Sequence, residues 1–290
     1  MTTARVFAPA KINLALHITG QRDDGYHLID SLVAFADIGD YLTIAAADQP
    51  TLKVTGLFAH DVPDGPENLV RRAAQLAAPG DTFAFELEKH LPAAAGIGGG
   101  SADAAALLRG LSALGFGAHQ TAIETATLGA DVPMCLQSGV TRAKGIGEDL
   151  TPVPGFPNLP AVLVNPRRSV PTPPVFAALA EKANPGLPEP LPDAPTLFEA
   201  ITWVAAQRND LAAPAIQQLP LIAEVTEALA RTPHCAFARM SGSGATVFGL
   251  FPEVGAAEVA AAQIAQEHPD WWVRACTLGN QSSAAAPRLS

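Results

Sequence analysis

Cysteine is scarce: Cys135, Cys235 and Cys276 are the three in 290 residues. They are odd in number, far apart and flanked by apolar residues, and none has CxxC spacing. Neither a zinc site nor a disulfide framework is implied, and reduced thiols in a cytoplasmic protein are the expectation. Basic residues are also few. Eighteen Lys and Arg stand against 28 Asp and Glu, for a net charge of −10 and a pI near 5.1. A nucleic-acid or membrane-surface protein would carry a basic excess instead. No apolar run reaches the ~18–20 residues of a membrane helix, because charges such as Asp37 and Asp40 interrupt the most apolar stretches. The start, Met1-Thr2-Thr3-Ala4-Arg5, runs into strand-like sequence without the apolar core of a signal peptide. There is no internal repeat, and the Walker A pattern G-x-x-x-x-G-K-[ST] is absent.

Apolar residues are plentiful at 48%, enough for a substantial core. The length suits one large domain or two smaller ones. Residues 11–18 alternate: Ile12, Leu14, Leu16 and Ile18 face one way, Lys11, Asn13, Ala15 and His17 the other. Further strands are expected at 41–46, 51–55 and 82–88, and a helix from about 66–68. A helix with Leu107, Leu108, Leu111 and Leu114 on its stripe should end at Gly115 and Gly117. Four prolines and a glycine in residues 151–160 mark a domain boundary. Beyond it the pattern predicts a strand at 161–165, then an exposed, mobile proline-rich loop at 181–195. Helices at 197–207, 219–231 and 256–267 and strands at 235–239, 245–251 and 272–277 complete an α+β second domain. The polar tail, residues 281–290, is expected to be disordered.

The densest chemical signal is Pro92-Ala93-Ala94-Ala95-Gly96-Ile97-Gly98-Gly99-Gly100-Ser101-Ala102, between a strand and a helix. Glycines let backbone N–H groups approach a phosphate with no Cβ in the way. The helix behind adds unpaired N–H groups and the positive end of its dipole. Ser101 adds a hydroxyl. A Rossmann turn fits poorly, because the triple glycine comes early and no acidic residue follows at the required distance. A plain structural turn remains open on the run alone. Other segments each have a bland reading too: Lys11 and Asn13 as a solvated strand face, Asp131 as a turn aspartate, Tyr26-His27 as half-buried aromatics, Ser241-Gly242-Ser243-Gly244 as a hairpin.

Together they are more specific. Pro9-Ala10-Lys11-Ile12-Asn13-Leu14, the run at 92–102 and the turn at 241–244 occur in the order of the three motifs of the GHMP kinase superfamily, which the chain resembles over about residues 6–278. Asp23-Asp24-Gly25-Tyr26-His27-Leu28, Gly129-Ala130-Asp131-Val132-Pro133 and Pro171-Thr172-Pro173 narrow the resemblance to the branch that acts on a cytidine-linked polyol. The resemblance implies an α+β, two-domain GHMP kinase fold: an N-terminal ATP-binding domain (1–155) and a C-terminal ferredoxin-like α/β domain (156–280), with the site between them. It implies ATP and Mg²⁺, the ion arriving as the ATP complex, small-molecule partners only, and a monomer or homodimer.

By resemblance, Asp131 is the general base and Lys11 its electrostatic partner. Residues 92–102 hold the phosphates, with Asn68 and Lys89 around adenine and ribose. Tyr26 and Phe176 sandwich cytosine, His27 reads its edge, and Asn13, Thr172 and Pro173 line the polyol side. The expected activity is phosphorylation of the 2-hydroxyl of the methylerythritol unit, in non-mevalonate isoprenoid synthesis. Another GHMP kinase, such as a homoserine kinase, or a non-catalytic nucleotide-binding protein is the alternative. Tyr26-His27 argues against the first; Lys11 with Asp131 argues against the second. The chain departs from the family pattern at Ala94 and Ala95, where glycines are usual, and at Ala102, which lacks a hydroxyl. Asp103 reads either as a first-turn aspartate favoured by the dipole or as a water-mediated metal contact.

Overall fold

The computed structural model describes residues 2–117 and 122–290. Its frame is a pair of strands much longer than the alternating stretch suggested, β1 (Thr3–Gln21) and β2 (His27–Ala46), joined by the turn at 22–26. Register shifts at Pro9/Lys11, Asn13/Ala15 and Ile18/Gly20 let this ribbon bend. They also leave both faces of β1 covered. Lys11, Asn13 and His17, on the side opposite the apolar stripe, are 4%, 3% and 1% exposed.

Next come β3 (Thr51–Thr55), α1 (Leu69–Ala77) and β4 (Phe83–Glu88), with β3 and β4 parallel and β4 paired to residues 41–46 of β2. The glycine run leads into α2 (Gly99–Ala113), followed by α3 (Ala122–Ala126) and α4 (Val132–Gln137). The hairpin β5 (Thr141–Gly145) and β6 (Asp149–Pro152) pairs with residues 29–33 of β2. Ala102, Ala105, Leu108 and Leu111 of α2 pack with Val6, Leu42, Ile44 and Phe85 of the sheet into the first core.

The second half comprises β7 (Leu159–Asn165), α5 (Thr172–Ala177), α6 (Leu197–Ala206), α7 (Ala212–Gln218), α8 (Leu221–Ala230), β8 (Phe237–Met240), β9 (Val247–Leu250), α9 (Val254–Glu267), β10 (Trp272–Gly279) and β11 (Arg288–Leu289). Strand β10 joins β7 to β2, so the sheet runs continuously in the order β11-β1-β2-β10-β7-β9-β8. The α+β expectation holds. No described helix is long and apolar enough to cross a membrane.

Two expectations fail. The tail is not disordered: β11 pairs with Ala4 and Arg5 of β1, and Arg109 Nε donates to Ala285 O at 3.0 Å. The free edge of β1 supplies backbone partners that tail composition does not reveal. The proline-rich loop is pinned rather than loose. Asn184 N donates to Ile18 O, Leu187 N donates to Asp30 Oδ2 at 2.9 Å, and Leu187 is 4% exposed. Arg142 grips both Asp30 oxygens at 2.8 and 2.7 Å and reaches Glu189 at 2.8 Å. Burial pushes the Asp30 carboxyl up, but the Arg142 and Leu187 hydrogen bonds outweigh it and hold the group below its ordinary value.

Candidate active site

Two segments distant in sequence, β1 and the turn at 241–246, meet around the glycine run. Lys11 N donates to Ile97 O at 2.9 Å, Thr246 N to Ala95 O at 3.1 Å, and Ser241 Oγ to Gly96 O at 3.2 Å. At Gly96 (φ 74°) an added methyl would lie 2.6 Å from Gly244 O and 2.7 Å from Ser241 O, so backbone packs on backbone there. Ser241 Oγ also accepts from Asn13 N at 3.1 Å. The 241–244 turn is therefore a buttress that fixes the run against β1.

Gly98 caps α2 in the left-handed region (φ 64°, ψ 22°) with no side-chain cap. The N–H groups of Gly99, Gly100 and Ser101 have no acceptors within the helix. A 15-residue helix presents its positive end to whatever lies before them. Ala94 adopts φ 48° at one of the positions where the family pattern has glycine. The loop thus keeps its shape against the preference of an L-residue.

The segment before α4 carries Asp131, whose Oδ2 lies 2.9 Å from Lys11 Nζ. The Lys11 side chain is 5% exposed and that of Asp131 36%, so the carboxylate is the member of the pair open to a ligand. Lys11 Nζ also donates to Asn13 Oδ1 at 2.8 Å, and Asn13 Nδ2 to Ser31 Oγ at 2.8 Å. A methyl added at Gly98 would lie 3.2 Å from Lys11 Cε and 3.6 Å from Asp131 Oδ2. Base candidate, cation and glycine run are therefore neighbours. Near Ser101, a methyl added at Gly129 would sit 3.6 Å from Ser101 Oγ.

Away from this centre, the His27 ring lies 5.1 Å from that of Phe176, tilted 37°. His27 Nε2 is buried with no hydrogen-bond partner. Burial, then the positive charge of Lys182, holds the imidazole below its ordinary pKa and so neutral. Its environment leaves one polar atom for a ligand. Tyr26 is 60% exposed beside it. Thr172 Oγ1 is 2.8 Å from Ser243 Oγ, which ties Thr172 and Pro173 at the start of α5 to the buttress turn.

Both halves of the chain match family descriptions, GHMP kinases N terminal domain at residues 68–147 and GHMP kinases C terminal at 189–270. The chain is 52% identical to a 4-diphosphocytidyl-2-C-methyl-D-erythritol kinase of Roseobacter denitrificans, over 98% of this chain and 97% of that one. It is 55% identical to one of Dinoroseobacter shibae, over 94% of each. The chain belongs to the GHMP kinases, in the branch of the 4-diphosphocytidyl-2-C-methyl-D-erythritol kinases. A crystal structure of a 4-(cytidine 5'-diphospho)-2C-methyl-D-erythritol kinase superposes with TM-score 0.78 at 35% identity, covering 95% of this chain and 99% of that one. Homoserine kinase from Cytophaga hutchinsonii shares the GHMP fold at TM-score 0.65, with 18% identity over 99% and 97%.

Two residues assigned to the nucleotide by resemblance do other work in this GHMP kinase. Asn68 caps α1: its Oδ1 accepts from Val70 N at 2.8 Å and its Nδ2 donates to Pro63 O at 2.8 Å. Lys89 is 3% exposed and bound between Asp40 Oδ2 at 2.5 Å and Asp103 Oδ2 at 2.6 Å. Asp103 therefore faces the sheet. Sequence reading missed Ser31, Asp40 and Asn209, whose Nδ2 donates to Met240 O and Gly242 O. No sequence pattern singled them out: Ser31 follows Asp30, and Asn209 stands between Arg208 and Asp210.

Proposed function

We infer that this chain transfers the γ-phosphoryl group of ATP to the 2-hydroxyl of 4-diphosphocytidyl-2-C-methyl-D-erythritol, giving the 2-phosphate and ADP. The observation that carries this reading is the meeting of Lys11, Asp131 and Gly98 at the helix start, with a neutral, unpartnered His27 further along the same ribbon. Asn13 pairs with Val33 in the ribbon, six residues from His27. At about 3.3 Å per residue that is roughly 20 Å, the scale of an extended nucleoside diphosphate with a polyol attached. Homoserine and mevalonate carry no base for Tyr26, Phe176 and His27 to stack on and read.

Phosphoryl transfer needs positioning and charge stabilisation more than covalent chemistry. Asp131 accepts the proton of the attacking hydroxyl as the new bond forms. A tertiary alcohol is crowded and weakly nucleophilic, so a fixed acceptor matters. Lys11, held by Asn13, keeps the Asp131 oxygen aimed and offers positive charge to the transferring group. The N–H groups at Gly99, Gly100 and Ser101 take the phosphate oxygens. Tyr26 and Phe176 stack on cytosine and His27 accepts from its amino edge. Thr172 and Pro173 bound the polyol. The halves 1–155 and 156–280 hold the two substrates between them.

No group of three or more His, Cys, Asp or Glu suited to a metal exists among the described residues. The nearby carboxylates are engaged, Asp103 by Lys89 and Asp131 by Lys11. Mg²⁺ would enter as the ATP complex, held by the nucleotide's own phosphates, whose charge it would offset. Three free cysteines suit a reducing cytoplasm. The test is ADP release with diphosphocytidyl-methylerythritol, homoserine and mevalonate in parallel. The reading expects turnover of the first; equal or faster turnover of homoserine would overturn it.

A further inference from the structure

Directly beneath the glycine loop lies a buried cluster that the reaction does not use. Lys89 Nζ sits between Asp40 Oδ2 (2.5 Å) and Asp103 Oδ2 (2.6 Å), with all three side chains at most 4% exposed. One ammonium faces two carboxylates, so full ionisation would leave a net negative charge in a dry interior, which is costly. The two carboxylates are not equivalent. Asp40 takes three donors: Lys89 on Oδ2, and His90 N (2.6 Å) and Leu91 N (2.9 Å) on Oδ1. Asp103 has Lys89 as its one charged donor, lies against the Asp40 carboxylate, and has its Oδ1 buried without a partner. The proton goes to Asp103, the carboxylate with fewer hydrogen-bond donors.

The place of this cluster gives the proton a consequence. Asp103 lies just past the first turn of α2, four residues after Gly99. A methyl added at Gly99 would lie 3.3 Å from Lys89 Nζ and 3.8 Å from Asp40 Oδ2. Phosphates on the outer side of Gly99 would therefore have the cluster on its inner side, with protein and no bulk water between. From α4, Cys135 also faces Asp103, its thiol held neutral by burial. From β1, Lys11 is committed to Asp131 on the far side of Gly98. α1 brings apolar Leu69 to Gly100.

We propose that Asp103 is a positioning residue for the nucleotide, and that the proton it holds or releases beneath the loop sets the charge met by the ATP phosphates. The proposal rests on the reading of residues 92–102 as the nucleotide loop. With the proton in place the cluster is neutral and the helix end acts on the phosphates undiminished. With the proton lost, a negative charge stands behind the loop and weakens their binding. By linkage, nucleotide binding draws a proton onto Asp103. Burial and the Asp40 carboxylate, against the pull of Lys89, push Asp103 up to about 7, so the change falls within the working range. A unit charge about 10 Å away at an effective dielectric near 20 changes proton affinity by about one unit, or roughly tenfold.

Calorimetry of ADP binding to the full-length chain at pH 7.5, in buffers of different ionisation enthalpy, tests this. Native protein is expected to take up part of a proton per ADP, and Asp103→Asn, which mimics the protonated acid, measurably less. In steady state the native KM for ATP rises roughly tenfold between pH 6 and 9, while Asp103→Asn holds the low-pH value. A merely structural aspartate would lower the melting temperature on substitution without flattening that profile. ADP binding with no proton uptake by the native chain would overturn the proposal, whatever the variant's stability. No ADP binding at all would overturn both the proposal and the nucleotide-loop reading beneath it.

Discussion

Replacing Asp131 by asparagine isolates proton acceptance from everything else the residue does. Asp131 precedes α4 but makes no side-chain cap bond, so the helix does not depend on its charge. The new amide oxygen can still accept from Lys11 Nζ, now 2.9 Å away, and Lys11 keeps Asn13 Oδ1 at 2.8 Å. What vanishes is a site for the hydroxyl's proton. A positioned general base contributes about 10²–10⁴ in rate, or roughly 2.7–5.4 kcal/mol in the barrier. The expectation for Asp131→Asn is a kcat lower by two to four orders of magnitude, with KM for both substrates within a few-fold. Stability should fall by no more than about 1.5–3 kcal/mol, the scale of a hydrogen bond to a charged group. Coupled ADP release gives kcat and KM, and thermal melting checks the fold. A kcat within tenfold of native, in a variant that melts normally, would refute Asp131 as the base.

Four further outcomes follow from the packing. Gly96→Ala puts a methyl 2.6 Å from Gly244 O at a φ of 74° and should cost about 3 kcal/mol by denaturant titration. Ala94→Gly relieves φ 48° and should instead stabilise by about 1 kcal/mol. Arg142→Met strands the buried Asp30 with one donor, Leu187 N, and should destabilise by about 3 kcal/mol while speeding proteolysis near residue 187. Burial and then the charge of Arg208 hold His17 below its ordinary value of 6.5, and Nε2 accepts from Arg208 N at 3.1 Å. Below pH 6.5 the unfolded chain takes up a proton that the folded one refuses, so this contribution shrinks as pH falls and levels off below the folded pKa. The native-minus-His17→Gln difference in melting temperature should therefore decline from pH 7 to pH 5; a flat difference would refute the account.

Local pattern located many elements well. The helix expected after the glycine run is α2, ended by Leu114 and Gly115, because glycine at each end punctuates an apolar stripe. The strand at 51–55 and the helices at 197–206 and 254–267 also lie close to where periodicity put them. The first half of β2, the hairpin β5–β6 and the short helices α4, α5 and α7 were not anticipated. Each is short, or stabilised by partners more than a hundred residues away, as Leu187 is by Asp30.

For the site, the residue types and order of Lys11, the glycine run, Asp131 and the 241–244 turn were legible, since phosphate binding and proton transfer limit which side chains can serve. Their mutual contact was not. Ser241 holds Asn13 and Gly96 across 228 and 145 positions of chain. Lys89 shows the limit best. Its place beside the glycine run suggested a ligand contact, but it is turned inward onto Asp40, 49 residues away, and Asp103. In the sequence alone, the glycine run already determined where backbone donors could converge, because only residues without a Cβ permit that approach. Which charges stand behind those donors depended on the direction each strand and helix presents its side chains, and that the tertiary structure decided.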